Sequence, residues 1–239
     1  MKAMIFAAGL GTRLGVETSK KPKALVKIGE KTLLELSIEK LKYEGISEVI
    51  VNVHHFSKVI IEFLTKHNFG IPIHISDETE KLLDTGGGLK KAARFLKGPE
   101  PILIYNVDIL CDIKLQKVIK SHVQSGALAT LVVRNRRTQR YLKFDNKKQL
   151  TGWINKKTSE TKIALPETFA ESLEMAFSGI HIVQADIFDF MPAEDKFSII
   201  PFYIELAKTQ FIKGYFDDSE KWMHFGKLEQ LELARKLYV

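Results

Sequence analysis

The feature that most constrains the fold is the alternation of short apolar runs with longer segments of helical period. Apolar runs at residues 2–7, 48–53 and 71–75 are separated by segments 33–41 and 56–64, in which apolar side chains recur every three or four positions. Strands that alternate with helices in this way are typical of βαβ units around a parallel sheet. The sequence therefore predicts an α/β fold.

The same alternation continues toward the end of the chain. A Gly-rich turn at 86–88 is followed by a predicted helix to about Leu96, and an apolar strand then covers 101–106. Later in the chain the pattern predicts strands at 127–133, 141–144, 150–154 and 177–183, and a last helix at 227–238. The sequence has no internal repeats, low-complexity tracts or linkers. We therefore expect one domain over residues 1–239.

Composition narrows the class of protein. The 239 residues are 45% hydrophobic, which is enough for a large buried core. No apolar run approaches the roughly 18 residues that a membrane span needs, so we expect a cytoplasmic protein without a membrane segment. The single cysteine, Cys111, excludes an internal disulfide and a thiolate metal cluster. The net charge of +7 favours anionic partners, but the basic groups are not interleaved with aromatic residues, so nucleic acid is not an expected partner.

The segment from Ala7 to Leu14 reads Ala-Ala-Gly-Leu-Gly-Thr-Arg-Leu and follows the first predicted strand. Its glycines allow backbone amides to approach an anion closely, which favours a phosphate-binding loop. Leu14 stands where the dinucleotide fingerprint has its third glycine, and no Gly-Lys-Ser/Thr ends the segment as in a Walker loop. An ordinary strand-to-loop turn is the alternative interpretation.

Charged side chains accompany this loop. Arg13 lies inside it, and Lys23 follows Pro22 ten residues later. Nucleotidyl transfer needs positive charge where negative charge accumulates on the phosphates. A run of solvated basic residues is the alternative interpretation of the lysines. Asp108 follows the predicted strand at 101–106. It should lie at the same sheet edge as the loop, because ligands gather beyond the carboxyl ends of strands. A helix N-cap is the alternative for Asp108, and Asp112 is better placed for that role.

Three motifs resemble the signature of the sugar-1-phosphate nucleotidyltransferases, also called nucleotide-diphospho-sugar pyrophosphorylases. They are the Ala7 to Leu14 segment, Lys21-Pro22-Lys23-Ala24-Leu25 and Asn106-Val107-Asp108, and the resemblance covers nearly the whole chain. Within the family, the short length, Asp84-Thr85-Gly86-Gly87-Gly88 and Phe177-Ser178-Gly179-Ile180 are most similar to the N-acetylmuramate-1-phosphate uridylyltransferases of cell-wall recycling. The mannose-1-phosphate guanylyltransferases are also similar. The resemblance implies a single Rossmann-like, three-layer α/β/α domain with a mixed, mostly parallel central sheet.

The resemblance also implies a role for each motif residue. Arg13, Lys23 and Asp108 would be catalytic, with Arg13 on the β- and γ-phosphates and Lys23 on the α-phosphate or the sugar phosphate. Ser178 and Gly179 would face the sugar, although a tight strand entry explains them as well. The nucleotide would be bound by Ala8, Gly9, Gly11, Thr12, Gly86, Gly87 and Asn106.

The expected metal site departs from the family pattern. Asp108 would bind Mg²⁺, a hard cation that prefers oxygen ligands. The family closes this site with a second aspartate in a Trp-x-Asp-x-Gly-Thr motif, but here residues 222–227 read Trp-Met-His-Phe-Gly-Lys, so His224 takes the place of that aspartate. Imidazole binds Mg²⁺ poorly and Mn²⁺, Zn²⁺ or Co²⁺ well. Three interpretations stay open: Asp108 and the triphosphate hold Mg²⁺ with His224 bound through water, a softer metal is used, or catalysis is lost and binding kept.

These implications define the expected reaction. A nucleoside triphosphate, with UTP favoured, would be joined to a sugar 1-phosphate such as N-acetylmuramate 1-phosphate, and pyrophosphate would be released. The sequence shows no compelling Ser/His/Asp or Cys/His set, and a phosphate dianion needs no general base to act as a nucleophile. The alternatives are mannose-1-phosphate guanylyl transfer, cytidylyl transfer on the same fold, and a nucleotide-sugar-binding protein with weakened catalysis. A monomer and a homodimer both fit the sequence.

Overall fold

The structure is a computed structural model that describes residues 1–11, 15, 17–19, 21–226 and 228–237. Its helices are α1 (Leu33–Tyr43), α2 (Ser57–Lys66), α3 (Asp84–Leu96), α4 (Leu115–Ser125), α5 (Pro166–Phe169), α6 (Ile199–Leu206) and α7 (Leu228–Leu237), with short 3-10 helices at Lys23–Leu25 and Ala185–Phe190. Its strands are β1 (Lys2–Phe6), β2 (Lys27–Ile28), β3 (Lys31–Thr32), β4 (Glu48–Val53), β5 (Ile73–Asp77), β6 (Ile102–Asn106), β7 (Ile109–Cys111), β8 (Ala129–Arg134), β9 (Arg140–Phe144), β10 (Leu150–Asn155), β11 (Thr161–Ile163), β12 (Leu173–Val183), β13 (Ile212–Phe216) and β14 (Trp222–His224). None of the helices in these ranges is both long and apolar enough to cross a bilayer.

Ten strands of the described ranges form one mixed sheet. Its order is β11-β10-β9-β12-β6-β1-β4-β5, with β8 paired to β12 and β13 paired to β8. Strands β5, β4, β1 and β6 run parallel to one another, whereas β12 is antiparallel to β6, β8 and β9. The predicted α/β fold with a mixed central sheet is confirmed. Parallel strands end at a common edge, and this edge carries the candidate site.

Side chains of the central strands alternate between two apolar cores. Ile5 of β1 belongs to the core that contains residues of α1, α2, α4 and α7, whereas its neighbour Met4 belongs to the core that contains residues of α3 and α6. Both side chains are fully buried, and burial of a side chain of this size contributes about 1.5–3 kcal/mol. Helices therefore cover both faces of the sheet, as a three-layer fold requires.

Local sequence sets the limits of α1. The Thr32 hydroxyl accepts a hydrogen bond from the Glu35 amide at 3.2 Å, and the Glu35 carboxylate accepts one from the Thr32 amide at 2.7 Å. This reciprocal capping box satisfies two amides that the first helical turn leaves without partners. Gly45 follows the helix with a φ of 83°, which glycine adopts without strain, and the chain then enters β4.

The glycines at 86–88 differ from the sequence prediction. A turn was expected there, and this expectation is wrong, because all three glycines lie inside α3. A Cβ atom on Gly87 would stand 1.9 Å from the Asp195 carbonyl oxygen, and one on Gly86 would stand 2.3 Å from the Phe197 ring. Close packing of segment 195–197 on α3 requires glycine and overrides its low helix propensity.

Two buried histidines make stability depend on pH. Burial lowers the pKa of His181 from 6.5 to about 3, and burial together with Lys213 lowers the pKa of His122 from 6.5 to about 4. Below pH 6.5 the unfolded chain binds protons that the folded chain cannot, so we expect the free energy of unfolding to fall by up to about 1.4 kcal/mol per pH unit for each histidine. Urea unfolding at pH 7 and pH 5 measures this loss. His122→Gln should weaken the dependence of the free energy of unfolding on pH, and the control His67→Gln, at an exposed histidine, should not. Equal pH dependence for wild type and both variants would contradict the prediction.

Candidate active site

A cavity of about 450 Å³ opens at the carboxyl ends of β1 and β6. We call it the phosphate cavity. Its walls come from the end of β1 and the loop that follows it, from the end of β6 and the segment that follows it, and from three separate positions. The lining residues are Phe6, Ala7, Gly9, Leu10, Gly11, Asn106, Val107, Asp108, Lys23, Thr85 and Gly226. The structure thus brings together the loop glycines, Lys23, Asn106 and Asp108.

Three ionisable side chains meet at one carboxylate oxygen. Lys23 Nζ forms an ion pair with Asp108 Oδ2, and His224 Nε2 lies 3.1 Å from the same oxygen. The side chains of Lys23 and Asp108 are 12% and 14% exposed, so this pair is largely shielded from water, whereas His224 is 29% exposed. Among the described residues, Asp108 is the only acid that lines the phosphate cavity.

The surroundings keep Asp108 ionised. Burial alone would raise the pKa of Asp108, but the hydrogen bond from His224 and the positive charge of Lys23 outweigh it and hold the pKa well below its usual range. Both contacts fall on Oδ2, and no hydrogen bond from the described residues falls on Oδ1. A negative oxygen is therefore available to a cation that enters with the substrate.

Pairing of two short strands places His224 beside Asp108. Strand β14 is antiparallel to β7, with His224 opposite Ile109, and the Phe225 amide donates to the Asp108 carbonyl oxygen at 2.9 Å. Gly226 leaves room for the imidazole, because a Cβ atom there would stand 2.3 Å from His224 Cε1. Two segments more than 110 residues apart in sequence are thus joined at the carboxylate.

The loop between β1 and Lys23 is closed by its own contacts. Gly11 has a φ of 67°, and a Cβ atom there would stand 3.2 Å from Lys23 Cβ. The Thr18 hydroxyl donates to the Gly11 carbonyl oxygen at 2.9 Å. Pro22 is extended, with φ −66° and ψ 146°, and directly precedes the 3-10 helix that begins with Lys23. Lys21 lies 3.5 Å from Glu17 and forms an ion pair with it.

The N-cap interpretations of Asp108 and Asp112 are wrong. Helix α4 begins at Leu115, and its N-cap residue, Lys114, makes no side-chain cap hydrogen bond. Asp112 instead accepts a hydrogen bond from the Lys221 amide at 3.1 Å, which ties β7 to the start of β14. Asp108 faces the phosphate cavity.

A buried polar pair that the sequence analysis missed supports the loop. Asn52, near the end of β4, accepts a hydrogen bond from the Ala7 amide at 2.8 Å and donates one to Glu78 at 2.7 Å. Burial raises the pKa of Glu78, although the hydrogen bond from Asn52 lowers it in part. A Cβ atom on Gly88 would stand 2.8 Å from Glu78 Oε1, so glycine leaves space for the pair. A lone asparagine in the apolar run 48–53 was the signal that could have revealed it.

We expect Asn52→Ala to weaken both the fold and nucleotide binding. The substitution leaves the Ala7 amide and the Glu78 carboxyl group buried without their partner, which costs about 1–3 kcal/mol. The loop would also lose its anchor, so the KM for the nucleotide should rise more than kcat falls. Urea unfolding and steady-state kinetics measure the two effects. Asn146→Ala, at an exposed turn position, is the control, and an Asn52→Ala protein equal to it in both assays would refute the assigned role.

Several residues proposed from the sequence do not line the phosphate cavity. The amides of Gly86 and Gly87 both donate to the Phe197 carbonyl oxygen, at 2.9 and 3.2 Å, and their contact with a nucleobase stays a prediction. Ser178 is fully buried, and its carbonyl oxygen accepts a hydrogen bond from the Trp222 indole at 3.2 Å. Gly179, with a φ of 79°, packs against Asn106, because a Cβ atom there would stand 3.0 Å from Asn106 Nδ2.

Ala8 lines a smaller neighbouring cavity of about 320 Å³, which it shares with Gly9 and Thr85. Thr12 and Arg13 lie outside the described residues, so their nucleotide and phosphate contacts stay predictions.

Comparison with known proteins places this site in context. The sequence profile described as nucleotidyl transferase matches residues 2–238. The chain is 32% identical over 233 residues to the D-glycero-alpha-D-manno-heptose 1-phosphate guanylyltransferase of Campylobacter jejuni, and the match covers 94% of this chain and 98% of that protein. It is 37% identical over 136 residues to the mannose-1-phosphate guanyltransferase of Gibberella zeae, covering 56% of this chain but only 37% of that relative.

Solved structures share the fold. The crystal structure of HddC from Yersinia pseudotuberculosis in complex with GMP-PN matches with a TM-score of 0.80 and 22% identity, over 100% of this chain and 99% of that one. The structure of a UDP-glucose pyrophosphorylase complexed with UDP-glucose matches with a TM-score of 0.77 and 17% identity, over 99% of this chain and 97% of that one. At these identities the likeness establishes the shared α/β fold.

Proposed function

Since this chain belongs to the nucleotidyl transferase family, we propose that it joins a nucleoside triphosphate to a sugar 1-phosphate and releases pyrophosphate. The observation that carries the proposal is the ion pair of Lys23 and Asp108, which His224 contacts, in the cavity that the glycine loop also lines. Such a cluster offers positive charge to phosphates and a negative oxygen to a metal ion, and both are needed for phosphoryl chemistry.

In the proposed reaction, an oxygen of the sugar 1-phosphate attacks the α-phosphorus of the triphosphate in line with the leaving pyrophosphate. The bond from the α-phosphorus to the bridging oxygen breaks, and pyrophosphate leaves with that electron pair. Lys23 neutralises charge on the phosphates, and the loop amides of Gly9 and Gly11 approach them. The cavity aligns the two substrates, which removes much of the entropic cost of the reaction.

The residues at the site fit a divalent metal that is shared with the substrate. Among the described residues, no group of three or more His, Cys, Asp and Glu side chains could hold a metal alone. Mg²⁺ typically binds through one or two carboxylates together with substrate phosphates and water, so Asp108 is a sufficient protein ligand. When bound, the ion would neutralise charge on the triphosphate.

Two substrate pairs have separate support. The motifs at 84–88 and 177–180 favour UTP with N-acetylmuramate 1-phosphate. The 32% identity to a heptose 1-phosphate guanylyltransferase over 94% of the chain favours GTP with a heptose 1-phosphate. Pyrophosphate release is therefore measured with UTP, GTP, CTP, dTTP and ATP against N-acetylmuramate, mannose, glucose and heptose 1-phosphates, each with Mg²⁺ and with Mn²⁺. Release with one pair supports the proposal and names the substrates. No release, with nucleotide binding retained, would favour a binding protein instead.

The substitution His224→Asp tests which metal the site prefers. A second carboxylate would create the oxygen-rich site that Mg²⁺ prefers, so we expect the Mg²⁺ concentration for half-maximal activity to fall about tenfold and the preference for Mn²⁺ to decrease. His224→Asn, which shortens the side chain without adding charge, is the matched control. Identical metal titrations for wild type and both variants would show that residue 224 does not influence the metal.

A further inference from the structure

A second cavity, of about 400 Å³, lies between α6 and the strands β9, β10 and β11. We call it the acceptor cavity. Its apolar part includes Leu142, Trp153 and Phe177, and its charged lining residues are Arg136, Arg140, Glu160 and Lys162. An apolar surface with a few converging polar groups is typical of a site for a small organic molecule.

Two sets of contacts join the walls of the acceptor cavity to the walls of the phosphate cavity. Thr85 lines the phosphate cavity, and its hydroxyl accepts a hydrogen bond from the Ile199 amide at 3.0 Å. Ile199 begins α6, and its two neighbours, Ser198 and Ile200, line the acceptor cavity. In the second set, His181 lies between Phe6 of the phosphate cavity and Phe177 of the acceptor cavity, with ring centroids 6.0 and 5.6 Å apart. A molecule that spans both cavities would carry a phosphate at one end and an organic group at the other.

The charges of the acceptor cavity are unbalanced. Arg136, Arg140 and Lys162 face a single acid, Glu160, and none of the three cations forms an ion pair with another described residue. Arg140 and Lys162 are exposed at the mouth and lie on strands that flank β10, where Lys162 pairs with Trp153 and Arg140 with Asn155. An anion at this mouth would meet two cations without displacing a protein carboxylate.

Arg136 lies deeper and is only partly satisfied. Its Nη2 atom donates to the Phe177 carbonyl oxygen at 3.0 Å, and its guanidinium lies 4.5 Å from the Trp222 ring centroid, but its buried Nε has no hydrogen-bond partner among the described residues. The neighbouring Arg134, by contrast, pairs with Asp217 at 3.2 Å. Buried donors without partners are costly, and a guanidinium binds a carboxylate with particular strength, so an acidic ligand would remove this cost.

We propose that the acceptor cavity binds the sugar of the acceptor and that Arg136, Arg140 and Lys162 select sugar 1-phosphates that also carry a carboxylate. This inference rests on the proposed function, because it assigns the second substrate of the same reaction. It also separates the chain from the relatives described above, whose names specify mannose and a heptose, sugars without an acid group.

Matched acceptors test the selection. N-Acetylmuramate 1-phosphate and N-acetylglucosamine 1-phosphate differ by one carboxylate-bearing ether, and glucuronate 1-phosphate and glucose 1-phosphate differ by oxidation at one carbon. With the wild-type protein we expect kcat/KM for at least one acidic acceptor to exceed that of its neutral partner by about tenfold or more. Neutral acceptors used as well as both acidic ones would overturn the proposal.

Two surface variants locate the selection. Arg140→Gln and Lys162→Gln should each reduce the acidic-to-neutral ratio of kcat/KM by about threefold to tenfold. Arg137→Gln, at an exposed neighbour that does not line the acceptor cavity, should not change this ratio. An unchanged ratio in both variants would refute the role of these cations.

Failure of the proposed function has a different signature, which is no pyrophosphate release with any acceptor. In that case isothermal titration of the same four sugar phosphates decides. Tighter binding of the acidic member of a pair, lost in Arg140→Gln, supports the acceptor cavity on its own; equal binding of both members overturns it.

Discussion

Asp108→Asn should reduce kcat/KM for pyrophosphate release by about 10²–10³-fold or more. The substitution keeps the size of the side chain and removes the only negative charge that the described residues offer to the phosphate cavity. It also replaces the carboxylate that Lys23 and His224 both contact with a neutral amide. We expect the loss mainly in kcat, because the charge matters most where negative charge moves from the α-phosphate to the leaving group.

The control for this substitution is Asp112→Asn. Asp112 lies four positions further along, is exposed, and contacts only the Lys221 backbone amide through its side chain in the described structure. It should retain activity within about threefold, as is usual for surface substitutions. Thermal unfolding of both variants shows whether they are folded. A folded Asp108→Asn protein with more than a tenth of wild-type kcat/KM would exclude Asp108 from the chemistry.

The part of this site that sequence predicts well is the part that the parallel strands determine. β4 begins at Glu48 and ends at Val53, as predicted, because six residues rich in β-branched side chains are bounded by turn residues. Once β1 and β6 are recognised, the rule that loops meet at the carboxyl edge brings Gly9 and Asp108 into one region. No knowledge of distant contacts is needed for this step.

The parts that sequence did not predict depend on long-range contacts. β7 and β14 contain three residues each and pair across more than 100 positions, so neither has enough periodicity to be recognised alone. Helix α6 is apolar on most sides and includes Pro201, so its pattern lacks a polar face. The glycines of α3 were wrongly predicted to form a turn. They are required by the packing of segment 195–197 on the helix, and local helix propensity carries no information about that packing.

The supporting pair of Asn52 and Glu78 belongs to the same class. Asn52 is a lone polar position in an apolar strand, Glu78 is one of several polar residues after β5, and only the sheet order places β4 next to the Ala7 amide. His224 was identified from a motif, but its contact with Asp108 Oδ2 could not be inferred from spacing, because it depends on β14 pairing with β7.

Lys23→Met should reduce kcat/KM by about 10²-fold or more, because methionine fills nearly the same space without the charge. Lys23 is 12% exposed and lines the phosphate cavity, so its ammonium is well shielded and its attraction for a phosphate is little screened. Lys21→Met, two positions earlier and 43% exposed, is the control and should stay within about threefold of wild type.

The ion pair between Lys23 and Asp108 allows two explanations for such a loss, and a double-mutant cycle separates them. If Lys23 only holds Asp108 in place, Lys23→Met in the Asp108→Asn background should have no further effect on kcat/KM. If Lys23 also binds a substrate phosphate, the double variant should be at least about tenfold slower than Asp108→Asn alone, because the two losses then arise from different interactions. We expect the second result, since Lys23 follows the glycine loop and faces the same cavity as its amides. Equal rates for the single and double variants would restrict Lys23 to the role of counterion.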